Sequence, residues 1–172
     1  SSTSADVIAQ AAAQEKQALE ASLQTLKAEM EAKQKEHEQL VQKLADETKK
    51  ANDLQSKLDA LEARVKAIED KLSSAIESGM SDSEIEKLRQ DLARAEADAK
   101  AAEQRVADAE GRVSEAVAKV DDSKEQTLKT RLEIMLTKFG FLYASYANKA
   151  VKLKNAKTVC DANTKAIATN LT

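Results

Sequence analysis

The chain has 172 residues, no proline, no tryptophan and three glycines, and a third of its positions are charged. Its 27 lysines and arginines nearly balance its 30 aspartates and glutamates, a net of −3, which excludes the global basic bias of a nucleic-acid-binding protein. No run approaches the ~20 apolar residues of a membrane span; alanine, glutamate, lysine and leucine dominate, the composition of long helices.

The chain begins at Ser1 rather than Met, without the apolar core of a signal peptide, as a removed leader or an excised piece would leave it. From Leu19 to Leu72 the apolar residues then recur at a 3-4 spacing: Leu19, Leu23, Leu26, Met30, Leu40, Leu44, Ala51, Leu54, Leu58, Leu61, Val65, Ile68 and Leu72. A stripe with this 3.5-residue average is a coiled-coil seam, because only a helix under-wound against a partner keeps such positions in line. The spacing predicts a first helix over about 4–77, on the order of 110 Å long at 1.5 Å per residue. Lys33, His37 and Glu47 are polar members of its seam.

Glu77-Ser78-Gly79-Met80-Ser81-Asp82-Ser83 interrupts the pattern. Gly79 suits the left-handed conformation that ends a helix, and Ser81 with Glu84 reads as a capping box that starts the next. A turn at 78–82 sends a second helix back antiparallel, so residue i faces roughly residue 161 − i. Its own stripe is Ile85, Leu88, Leu92, Ala95, Ala99, Ala102, Val106, Ala109, Val113, Ala116 and Val120. Under this pairing Leu58, Leu61 and Val65 meet Ala102, Ala99 and Ala95, and large against small lets the axes approach without voids. A parallel homodimer of the second helix would stack alanine on alanine and bury too little.

Between Val120 and Leu128 the apolar phase slips by one residue, opposite Lys33 and His37. The expectation is a wet, kinked or locally unwound layer near 121–127. His37, the only histidine, has no second ligand at i+3 or i+4 and reads as a register-setting polar residue rather than a metal or acid-base group.

All four aromatics, Phe139, Phe141, Tyr143 and Tyr146, lie within eight residues of an apolar segment that begins at Leu132. The segment is apolar on more than one face, which demands cover beyond one partner helix. Helix 2 is expected over about 82–154. A C-terminal helical segment at about 156–170 is expected to fold back and thicken the end near both termini into a three-helix bundle. The whole chain is thus read as all-α, a single extended helical bundle. From residue 134 onward, six lysines and one acid give about +5, against about −8 for the rest. Cys160, the single cysteine, excludes an internal disulfide, and Asn170-Leu171-Thr172 is an N-glycosylation sequon.

The patterns that carry chemistry are absent. There is no glycine-rich phosphate loop, no Cys/His cluster at metal spacing and no nucleophile patterned with a histidine base. Carboxylates alternate with lysines on solvated faces, as in Glu29/Lys33 and Glu62/Lys66. The chain is therefore read as a non-catalytic protein with no cofactor, no metal, no small-molecule substrate and no nucleic-acid partner.

The paired seams (Leu19–Leu72 and Ile85–Val120), alanine as the commonest residue and the start at Ser1–Ala5 resemble the N-terminal core of trypanosome surface coat proteins. The likeness is greatest to the glutamic acid/alanine-rich coat proteins related to the variant surface glycoproteins. The resemblance implies a structural coat or display rod on the extracellular face of the plasma membrane. It also implies a lipid (GPI) anchor outside this chain and neighbouring coat proteins as partners. Variant surface glycoproteins usually carry disulfides, which a lone Cys160 cannot supply. Two other classes share the pattern: a cytoskeletal or virion coiled-coil spacer, and a membrane-perturbing helical protein inserting through Ile134–Tyr146.

Overall fold

The computed structural model describes residues 4–171. They form two α-helices, α1 (Ser4–Glu77, 74 residues) and α2 (Asp82–Leu171, 90 residues), packed against each other with no strand among the described residues. The turn follows from local chemistry. Gly79 is the only described residue with a positive φ, 71°. The Met80 amide donates to the Ala75 carbonyl at 3.0 Å and the Gly79 amide to that of Ile76 at 3.3 Å, which satisfies carbonyls the helix end leaves orphaned. Ser81 caps α2: its hydroxyl accepts from the Glu84 amide at 3.3 Å. Nothing lies within 4 Å of a Cβ built on Gly79, so Gly79→Ala tests backbone conformation alone. It should destabilise the hairpin by about 1–2 kcal/mol in urea titration, the cost of a left-handed L-residue.

The chain divides into two compact units, and the turn unit is Glu36–Ser123. Its seam is asymmetric in the expected way. On α2, Ala95, Ala99, Ala102, Val106, Ala109, Ala116 and Val120 are buried, whereas most α1 seam residues, Leu54 and Leu61 among them, are half-buried. Leu58 and Ala75 are the buried α1 residues of this unit, and Leu58 packs with Ala102 and Val106. Small residues on α2 admit the larger side chains of α1. Two polar seam residues find partners in the same register. Glu47 takes an ion pair from Arg112 Nε at 3.3 Å, and His37 Nδ1 lies 3.1 Å from Ser123 Oγ, a hydrogen bond.

The end unit joins the chain up to Lys35 with the chain from Lys124 onward. Here Lys33 Nζ donates to Thr130 Oγ1 at 2.8 Å and pairs with Glu29 at 3.0 Å. The Lys16 ammonium stands 5.2 Å from the Phe141 ring centre, and Asn155 donates to Asp6 at 3.4 Å. Gly140 gives Leu19 room: a Cβ on it would meet Leu19 Cδ1 at 3.4 Å. Each pair obeys the 161 − i rule to within a few residues.

Two expectations are corrected. First, α2 is continuous helix through 121–127, so the chain is not unwound there. The polar groups of α1 opposite this stretch meet hydroxyls on α2, so the helix keeps its phase instead of slipping to bury Leu128. Second, residues 156–170 are not a separate third helix but the continuation of α2. No glycine or proline follows Gly140, so nothing ends the helix. The hydroxyls of Thr158 and Thr164 bond back to the carbonyls four residues earlier, as helical threonines do. Every residue from Ala156 to Leu171 is exposed.

Candidate functional site

The end unit carries two heptad lines on one helix. The inner line of α2, facing α1, runs Thr127, Thr130, Ile134, Thr137, Phe141 and Ala144, all buried or half-buried. Thr130 and Ala144 are almost inaccessible, and the Thr127 hydroxyl is buried without a hydrogen-bond partner among the described residues. The outer line runs Leu128, Leu132, Met135, Phe139, Leu142 and Tyr146, with the same alternation of threes and fours. Each outer residue stands two positions from an inner one, about 200° around the helix at 100° per residue. The outer line therefore points away from α1.

Its exposure is large. Phe139 is 70% accessible, Tyr143 69% and Tyr146 71%, and Leu128, Leu132, Met135, Leu136 and Leu142 are all exposed. Leu136 and Tyr143 form a third column beside the outer line. Only Phe141 of the four aromatics turns inward, under Lys16. Beside Ile134 and Phe141 the inner seam holds three threonines and an alanine, while most of the large apolar side chains lie outside, the reverse of the usual distribution.

The charges around this face are mostly basic. Arg131, Lys138 and Lys152 each precede a residue of the central column (Leu132, Phe139, Leu153), and Lys149 takes the place after Leu142 in its column. Lys129 begins the third column and pairs with Glu125 at 3.4 Å; Glu133 is the other acid of the stretch. Beside Leu136, a shallow groove is bounded by Ala21, Ser22, Thr25 and Leu26 of α1 and by Glu133 and Thr137 of α2.

The other residues singled out by sequence do not converge on this face. His37, Lys33 and Glu47 are seam residues occupied by Ser123, Thr130 with Glu29, and Arg112. Cys160 is an exposed free thiol. Asn170 is exposed in the last turn of α2, while Thr172 of its sequon, like residues 1–3, lies outside the described residues. No group of three or more His, Cys, Asp or Glu side chains is placed to hold a metal among the described residues.

The outer face was partly legible in the sequence as an excess of apolar residues. The missed signal is that Leu128–Tyr146 holds two complete heptad lines, of which a single partner helix can cover one. No family model matches the chain, and neither a curated protein nor a solved structure shows significant similarity to it.

Proposed function

We propose that the chain is a non-catalytic structural protein, a helical hairpin whose business end is an attachment face on α2 rather than an active site. The observation that carries this reading is the exposure of Leu128, Leu132, Met135, Phe139, Leu142 and Tyr146 while Thr127, Thr130, Thr137 and Ala144 take seam positions beside Ile134 and Phe141. Burying side chains of this size stabilises a fold by about 1.5–3 kcal/mol each. A chain that leaves them outside and buries threonines forgoes that stability, and a contiguous apolar face of this kind marks a contact surface.

The test separates attachment from folding. Leu132→Gln combined with Phe139→Gln should change unfolding stability by no more than about 0.5 kcal/mol, as surface changes do, and should lower binding of an apolar dye. A loss as large as that of a core truncation would assign the face to the fold and end this reading.

The surface-coat form of the proposal adds cell-surface placement, a lipid anchor outside this chain and neighbouring coat proteins. It predicts labelling by antibody on intact cells and release by a phosphatidylinositol-specific phospholipase. The cytoskeletal or virion spacer form predicts neither.

A further inference from the structure

We infer that the outer face of α2 docks side-on onto an anionic lipid surface, lying in the headgroup boundary without crossing it. This rests on the reading of that face as an attachment surface and names what it attaches to. Width is the first observation. Leu132, Phe139 and Tyr146 form a central column, Leu128, Met135 and Leu142 flank it on one side, and Leu136 and Tyr143 on the other. Three apolar columns of a heptad span about 100° of the helix, a broader face than the two-column seam that one partner helix covers.

The aromatics supply the second. Tyr143 and Tyr146 are exposed at 69% and 71%. A protein helix laid over them would have to provide acceptors for both hydroxyls, whereas a headgroup layer takes the ring and leaves the hydroxyl wet.

Charge supplies the third. Arg131, Lys138, Lys149 and Lys152 line the columns on the Leu128–Leu142 side, while the other side carries Lys129, paired with Glu125, and Glu133. A second copy docked face to face and antiparallel would set this basic side against itself, which disfavours that self-association. Anionic headgroups complement it, and the long basic stems let the charged ends rise to headgroup level while the apolar columns sink into the acyl boundary. No helix is long and apolar enough to cross a membrane among the described residues, so the contact is by a face and not a span.

The test is cosedimentation of the whole chain with phosphatidylcholine vesicles, with and without phosphatidylserine, each loaded with a self-quenching dye. Binding should require phosphatidylserine, weaken with added salt and leave the dye inside. Phe139→Gln with Tyr146→Gln should abolish pelleting. Arg131→Gln, Lys138→Gln and Lys152→Gln together should weaken it by roughly a hundredfold, with helix content unchanged by circular dichroism in both sets. Equal binding to the two vesicle types, insensitive to the basic substitutions, would overturn the inference, as would dye release. If the chain ignores both vesicles but self-associates or captures an acidic helical peptide through Phe139, the lipid inference fails and the attachment reading stands. If it ignores vesicles and remains monomeric without capturing any such peptide, both fail.

Discussion

Leu58→Ala should destabilise the protein by about 2–4 kcal/mol, the range of large-to-small changes at buried leucines. Leu58 is the one large α1 residue buried in the turn unit, packed with Ala102 and Val106 and flanked by Leu54 and Leu61. The side chains across from it are already small, so they cannot expand into the space left by the isobutyl group. Truncation to alanine at an exposed site, Val41→Ala, should change stability by less than about 0.5 kcal/mol. Urea unfolding followed by circular dichroism reads both. Similar midpoints for the two variants would contradict the packing described for the turn unit.

Ala109→Leu should cost about 1–3 kcal/mol by the opposite mechanism, overpacking. Ala109 is fully buried on α2, and the pairing rule sets it against Ala51, so small faces small and the helices are close. Three added carbons there would push the axes apart or force strained rotamers. Stability should fall while helix content at low denaturant stays the same, because the fault lies between the helices and not within either. A neutral Ala109→Leu would mean that the helices are not closely packed at this point.

Legibility in the sequence followed how local the deciding physics is. Gly79 and Ser81 specify the turn through their own backbone and side-chain chemistry, so both helix ends beside it were readable. The antiparallel pairing was readable too, because leucines on α1 meet alanines on α2 over many turns and few other arrangements match their sizes. The stretch after Val120 was not. Thr127, Thr130 and Thr137 on one line and Leu128, Met135 and Phe139 on the other are equally periodic, and hydrophobicity alone favours burying the leucines. What decides is α1: Lys33 meets the Thr130 hydroxyl and His37 the Ser123 hydroxyl, contacts made across 97 and 86 residues of chain. No window of sequence contains that information. The expectation of a third helix has the same origin, because a face counted as core needs cover.

A prediction for truncation follows from the continuity of α2. With residues 156–171 continuing α2, their removal should not raise dye binding, because they do not fold back over the outer columns. Removing the aromatic columns by substitution should lower it.

Hydroxyl-radical footprinting with mass spectrometry, on dilute protein without lipid, tests the central claim that α2 is continuous and its outer face open. The account predicts rapid oxidation of Met135, Phe139, Tyr143 and Tyr146, with Phe141 and Met30, both half-buried, labelled more slowly for their intrinsic reactivity. Protection of Phe139, Tyr143 and Tyr146 to the level of Phe141 in a monomeric sample would show that the chain covers its own outer face, and would contradict it.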